Sequence, residues 1–554
     1  MTSRRIAVVA TEVLGLSGAG GPGTADSLLA LALARHGHRV ELVIAPGRDL
    51  TRLNPEWKAR YDDANVQLRP LRENATVTPS FLAPSWHVHE ALRSDPPDVV
   101  VADDWRALAY ATLRSRQLGR SCRDTAFVLY CHGPARVFAE AALKVPDTVA
   151  RFGEEVAQRA CLQLADAVVS PSRWLLDWLH EHDWAVPASA RVIQNLRQST
   201  ALDEAPAQAP SASPIRRLAF FGQVRDGKGA RLFIDSLRRL DQARLGEVEL
   251  LFLGHSRAWT APRLREEIGR PVRFEPELDR AAAIDELMRP GTLAVMPSLL
   301  ENSPYAVAEC IEHGIPFVAT RVGGTPELIA PEDHEAVLCE PTVDALAAAL
   351  AAALATGVSP ARPARPPEDS LAAWLDLTEG VEPAPQRTSP ARTTSEWTLF
   401  GVDRVRADDS LFDALAAAQA VSGADVVTAG LREGDAVRLF LGDPGSLGLV
   451  ENQYGVVGLA RRSAVTSESP WVLCARLAAA GAQIVSIPEA LATRVGASEE
   501  PGERLSVLQA FESGDGRALQ QLPQLAATLA AALARPHPVP PRMGVRHRLR
   551  RLLG

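Results

Sequence analysis

Short apolar runs separated by longer helical stretches repeat along the chain. IAVVA (6–10), VELVI (40–44), DVVVA (98–102), AFVLYC (126–131), AVVS (167–170) and RVIQ (191–194) have the length and composition of strands. Between the first two lie a glycine-rich loop, LGLSGAGGPG, and the helical pattern TADSLLALALARHGH. Strand, helix, strand is a βαβ unit, which feeds a parallel sheet through a right-handed crossover.

The pattern breaks at LDEAPAQAPSASP (202–214), a Pro/Ala/Ser stretch without periodicity, and then resumes. LAFFG (218–222), VELLFLG (248–254), TLAVMPS (292–298), PFVAT (316–320) and AVLCE (336–340) predict a second set of strands, closed by the helix DALAAALAAAL (344–354). The expected organisation is α/β: one doubly wound domain over 1–201, a second over 215–357, and a ligand cleft between the carboxyl ends of their sheets. Residues 358–396 read as a proline-rich linker whose short helix, SLAAWLDLTEG, packs back on that pair. A smaller α/β module over 397–498 and a helical tail over 499–554, ending in the basic RMGVRHRLRRLLG, complete the chain.

Composition narrows the class. A formal net charge of −8, with acidic residues spread along the 554 positions, excludes a general nucleic-acid binder. Neither a secretory leader nor a membrane-spanning run is visible, so a cytoplasmic location is expected, with the basic end a candidate contact for the inner face of a membrane. The six cysteines, Cys122, Cys131, Cys161, Cys310, Cys339 and Cys474, form no C-x-x-C pair and read as reduced thiols; no metal site and no cofactor are expected. Only Lys58, Lys144 and Lys228 are lysines, so each lysine position is informative.

The stretch ENSPYAVAEC (301–310) carries the chemistry. Ser303 and Pro304 read as an N-cap and a first helical residue, which leaves Glu301 in a strand-end loop. Glu309 then lies about 7–8 Å along the helix. The free N–H groups at Tyr305, Ala306 and Val307 and the helix dipole between the two carboxylates make an anion site. Carboxylates accept hydrogen bonds from sugar hydroxyls, so the arrangement suits a molecule built as sugar, diphosphate and ribose.

PSLLENSPYAVAEC followed by GIPFVATRVGGTPELI resembles retaining glycosyltransferase family 4, which has the GT-B fold. The resemblance implies two Rossmann-like domains facing a cleft, and a metal-independent transfer from a nucleotide-diphosphate sugar, a UDP- or GDP-sugar first, to an acceptor hydroxyl. By the same resemblance Glu301 contacts the sugar, Glu309 the ribose, and backbone around Asn302, Ser303, Tyr305 and Ala306 the diphosphate. Gly222-Gln223-Val224-Arg225-Asp226-Gly227-Lys228-Gly229 stands where the family usually shows G-R-L-x-x-x-K-G. Lys228 matches the phosphate-binding lysine, Gln223 replaces the arginine, and Arg225 is the candidate substitute cation. SGAGGPGT (17–24) resembles the family's first loop, with Gly20 and Gly21 near the phosphates, and His132 in YCHGPARVF is placed beside the reacting sugar. Asp103 and Asp104 are acceptor-side candidates, with helix capping by Asp104 as the competing reading. In GGTPELI, Gly323 and Gly324 are expected to let backbone approach the donor, Thr325 to cap a helix, and Glu327 to complement its dipole.

The module from Trp397 resembles the back half of a family 2 (GT-A) glycosyltransferase, but only Asp403 survives of its acidic pair. It reads as a degenerate module for stability, homodimerisation or acceptor docking. Two other readings stay open for the whole chain: a non-catalytic sugar-nucleotide-binding partner of another transferase, or a coupling enzyme that forms no glycosidic bond. Keeping Lys228, Glu301 and Glu309 together argues for a working transferase.

Overall fold

The computed structural model describes residues 3–16, 20–141, 148–209, 214–241, 245–385, 396–495 and 503–512. The middle of the proline-rich linker and the basic end, with the membrane contact expected of it, lie outside the described residues. No helix among the described residues is long and apolar enough to cross a membrane.

In the first domain, the strands are β1 (Arg5–Ala10), β2 (Arg39–Ile44), β3 (Gln67–Pro70), β4 (Thr76–Thr78), β5 (Val99–Asp103), β6 (Ala126–Tyr130), β7 (Ala167–Ser170) and β8 (Arg191–Val192). All except β4 form one parallel sheet in the order β3-β2-β1-β5-β6-β7-β8. The second domain builds a parallel sheet from β9 (Arg217–Phe221), β10 (Glu249–Leu253), β11 (Arg273–Glu275), β12 (Thr292–Met296), β13 (Phe317–Thr320) and β14 (Leu338–Cys339), ordered β11-β10-β9-β12-β13-β14. In each sheet the strand order reverses once, between β1 and β5 and between β9 and β12. The carboxyl ends of those strands flank the natural ligand crevice.

β1 shows why the central strands carry apolar runs. Ile6, Val8 and Ala10 enter the core on one face and Ala7 and Val9 that on the other, so every position after the exposed Arg5 is apolar. Each face is finished by a segment from far along the chain. Helix Pro367–Gly380 returns from the second domain and sends Trp374, fully buried, against the Tyr130 ring at 4.8 Å. On the opposite face Leu439, Leu441 and Leu447 of the third domain join the same core as Ala7 and Val9.

That third domain forms a mixed sheet. Its strands are β15 (Trp397–Phe400), β16 (Val405–Ala407), β17 (Val426–Glu433), β18 (Ala436–Arg438), β19 (Gly458–Arg461) and β20 (Ile484–Arg494). β17 runs antiparallel to β18 and β19 and parallel to β20. The edge strand β18 is covered by β4 of the first domain, with Ala436, Val437 and Arg438 opposite Thr76, Val77 and Thr78. An exposed edge would template aggregation, and pairing removes it. Tyr110 donates its hydroxyl to the Leu441 carbonyl at 3.0 Å, and Arg120 pairs with Glu489 at 3.0 Å. The third domain is therefore continuous with the first in sheet and in core.

Candidate active site

Both strand-order reversals open into one cleft of about 1700 Å³. Gly20, Gly21 and His132 line it from the first domain. From the second come Gly222, Gln223, Arg225, Lys228, Glu301, Asn302, Ser303, Tyr305, Ala306 and Glu309. The sheets bring these together because the loops after β1, β6, β9 and β12 all leave at the same edge.

After β9, the chain turns at Gly222 (φ +131°) into a short 3₁₀ turn, Asp226–Lys228. Gly229 (φ +79°) must be glycine, since a Cβ there would lie 1.7 Å from the Pro297 carbonyl oxygen. This close approach of the β9 and β12 loops sets Lys228 Nζ 2.5 Å from Glu301 Oε1, which also accepts the Ser298 hydroxyl at 2.6 Å. Gln223 accepts a hydrogen bond from Arg225 Nε at 3.1 Å, so the glutamine at the usual arginine position steers a neighbouring cation into the cleft wall.

The helix starts one residue later than expected. It spans Tyr305–Glu312, Pro304 stands at its N-cap, and no side chain caps it. Among the described residues Ser303 meets a partner through its carbonyl, which accepts from Asn195 Nδ2 at 3.3 Å. Val307 N–H is occupied by the Pro304 carbonyl at 3.2 Å, whereas those of Tyr305 and Ala306 have no acceptor among the described residues. Glu309, on the second turn, is 6% exposed and pairs with Arg280 at 2.8 Å. Burial pushes its carboxyl up from the ordinary range, and the Arg280 charge pulls it back. Arg280 has no motif around it, and nothing in the local pattern of ELDRAAAIDEL marks it.

Asn302 holds the two domains together. Its Oδ1 accepts the Ser172 hydroxyl at 2.5 Å, and its Nδ2 donates to the His132 carbonyl at 3.1 Å. Its side chain thus acts as a latch between the two domains. Gly323 and Gly324 also serve this loop: a Cβ would lie 1.7 Å from the Glu301 carbonyl oxygen or 2.0 Å from that of Asn302. They pack beneath the loop and do not themselves line the cleft. The helix expected after them is a 3₁₀ turn, Thr325–Leu328, which Thr325 does not cap. Glu327 caps a different helix, Arg173–Glu181 of the first domain, through the N–H groups of Arg173 and Trp174.

Asp103 and Asp104 depart from the acceptor-side expectation, because neither lines the cleft. The Asp104 carboxylate caps no helix; it accepts the N–H groups of His132 (2.8 Å) and Gly133 (3.2 Å) and so fixes the turn that carries His132. Asp103 is fully buried and accepts from no side chain among the described residues, and burial with Asp26 nearby drives its carboxyl well above the usual range. Asp26, on the buried helix Gly21–Arg35, lies 4.0 Å from His132 Nε2. Burial lowers His132 to about 3, so its ring is neutral at physiological pH. At the start of that helix Gly20 N–H donates to Glu12 Oε2 at 2.5 Å, and Gly21 faces open space.

Residues 19–196 match the family Glycosyltransferase Family 4, and residues 215–356 match Glycosyl transferases group 1. Together the matches cover both domains that form the cleft. These are the domains of a GT-B glycosyltransferase. Neither family match extends past residue 356, so the third domain of this glycosyltransferase stands outside both. Among solved structures the chain is similar to sucrose-phosphate synthase from Thermosynechococcus elongatus (18% identity, 68% of this chain and 96% of that one, TM-score 0.48). It is also similar to HepE of Anabaena in complex with UDP and glucose (15%, 67% and 94%, 0.47). A third is the catalytic domain of starch synthase IV from Arabidopsis thaliana bound to ADP and acarbose (13%, 67% and 94%, 0.44). No curated protein matches the chain.

Proposed function

We propose that the chain is a retaining, metal-independent transferase that moves a sugar from a nucleotide-diphosphate sugar, a UDP- or GDP-sugar first, to an acceptor hydroxyl. The observation that carries this is the row along one wall of the cleft: Lys228 against Glu301, the open N–H groups of Tyr305 and Ala306, then Glu309. A diphosphate suits the cation and the helix start, and the carboxylates on either side suit hydroxyls of the sugar and the ribose.

In this reading the bond between the anomeric carbon and the diphosphate oxygen breaks, and the acceptor oxygen bonds to that carbon on the same face. The departing diphosphate takes the acceptor's proton. Lys228, Arg225 and the helix dipole stabilise its growing charge. His132, neutral by burial, serves as a hydrogen-bonding wall for the reacting sugar and carries no proton through the step. We assign the third domain to support of the acceptor domain, whose β4 and core it shares.

Screening UDP-, GDP-, ADP- and TDP-sugars for thermal stabilisation and for release of the nucleoside diphosphate tests the proposal. At least one donor should raise the melting temperature and be slowly hydrolysed. A protein unmoved by the whole panel would overturn the donor assignment.

A further inference from the structure

Trp105 and Phe138 line the first-domain side of the cleft, and the donor reading gives neither a role. Both are partly exposed, and their rings meet edge to face, 6.2 Å apart at 72°. Large aromatic side chains left open to water inside a ligand cleft call for an occupant. Trp105 follows the end of β5, between His132 after β6 on one side and Thr11 and Glu12 after β1 on the other.

This wall is held in place at one residue. The Asp104 carboxylate accepts the N–H groups of His132 and Gly133, and its carbonyl accepts Gln158 Nε2 at 2.8 Å. Trp105 comes next in the chain, on a 3₁₀ turn whose following residues, Arg106 and Ala107, hold φ +60° and +51°. Two successive non-glycine residues in the left-handed region store strain, which persists only where the surroundings fix it and concentrates at ligand sites. Phe138, on helix Ala135–Ala141, lies over the His132 turn: a Cβ on Gly133 (φ +117°) would stand 3.1 Å from its ring.

The chemistry of the wall selects among hydroxyl compounds. An aliphatic chain laid on the rings would strip water from Thr11, Glu12 and His132 without replacing its hydrogen bonds. A saccharide offers both kinds of surface, ring C–H groups for the aromatic faces and hydroxyls for the polar neighbours. The indole N–H of Trp105 has no acceptor among the described residues and adds a donor for a sugar oxygen.

We propose that the acceptor is a saccharide, seated with one ring against Trp105 and Phe138. The inference rests on the donor reading above and names the acceptor class that reading leaves open. The attacking hydroxyl then faces the donor sugar beside His132. Its oxygen joins the anomeric carbon, the bond to the diphosphate oxygen breaks, and the diphosphate leaves with the hydroxyl proton.

Transfer assays on the full-length protein test it, with whichever donor the panel identifies. The acceptors are methyl glycosides of glucose, galactose, mannose and N-acetylglucosamine and their disaccharides, with 1-octanol and geraniol as sugar-free hydroxyls. Mass spectrometry counts the product against the nucleoside diphosphate released without transfer. At least one saccharide should accept the sugar in preference to both alcohols. Trp105→Ala should lower the ratio of transfer to donor hydrolysis by roughly tenfold, the loss expected for one stacked ring, and Trp105→Phe should keep part of it. Partial unfolding slows both reactions alike, so the ratio reports on the wall itself. Hydrolysis without transfer to any saccharide, transfer to the alcohols at least as fast, or a wild-type ratio in Trp105→Ala would overturn the inference and leave the donor reading standing. If no donor is turned over by wild type, both fall.

Discussion

The Glu327 carboxylate accepts the backbone N–H of Trp174 at 2.8 Å, so a residue of the second domain caps a helix of the first. The neighbouring N–H of Arg173 is accepted by its other oxygen at 2.7 Å, and Gln194 Nε2 donates to the Glu327 carbonyl at 2.6 Å. With Ser172 and Asn302 alongside, these bonds fix how the two halves of the cleft meet. Glu327→Ala should destabilise the protein by about 1–2 kcal/mol, the usual worth of a helix cap. Thermal unfolding measures this, and an unchanged melting temperature would remove the latch.

The two carboxylates of the cleft should separate in kinetics. Glu301→Ala should mainly lower kcat, because its partners Lys228 and Ser298 place it by the sugar in the proposed reading. Glu309→Ala should mainly raise KM for the donor. Lys228→Ala should lower kcat/KM by roughly 100-fold, in the range seen when one charge-stabilising donor is removed. Steady-state kinetics with whichever donor the panel identifies distinguishes the three. Equal, small effects would sink this division of labour.

Removal of everything from Trp397 onward should yield an aggregating protein. The truncation uncovers the β4 edge and takes Leu439, Leu441 and Leu447 out of the first domain's core. Size-exclusion chromatography of the truncated chain is the check. A soluble, monomeric, donor-binding fragment would show that the third domain is dispensable to the first.

Asp103→Asn should stabilise the protein, and more so at higher pH. Burial raises the native Asp103 carboxyl well above its ordinary value of 3.8, so the folded state holds a proton that the unfolded chain releases. Wild-type stability from this group is fully present below the unfolded pKa and lost as pH rises towards the folded one. Asparagine has no proton to lose, so the gain over wild type should grow from pH 5 to pH 8. His132 and His89, which burial lowers, contribute with the opposite sign, so the difference between variant and wild type is the quantity to follow. A gain independent of pH would contradict the assignment.

Central strands were legible because burial on both faces leaves only apolar residues: IAVVA became Arg5–Ala10 and LAFFG became Arg217–Phe221. Two strands at sheet edges escaped, since QLRP and TVT carry no apolar run and owe their form to the partner strand. AVLCE was overread, for only Leu338–Cys339 is extended after a short helix, His334–Val337. At the site, Lys228, Glu301 and Glu309 announce themselves through spacing within one loop or helix. Arg280, Asp26 and Glu12 do not, because their relevance lies in contacts between elements far apart in the chain. The motif position of Asn302 was visible, but its side-chain latch to Ser172, 130 residues away, was not.

A crystal structure with an intact, slowly turned-over nucleotide-sugar tests the central claim most directly. The diphosphate should lie at Lys228 and the N–H groups of Tyr305 and Ala306, the ribose at Glu309 beside Arg280, and the sugar between Glu301 and His132. A nucleotide bound in the reverse sense, with ribose at Glu301, or lodged away from helix Tyr305–Glu312, would contradict it.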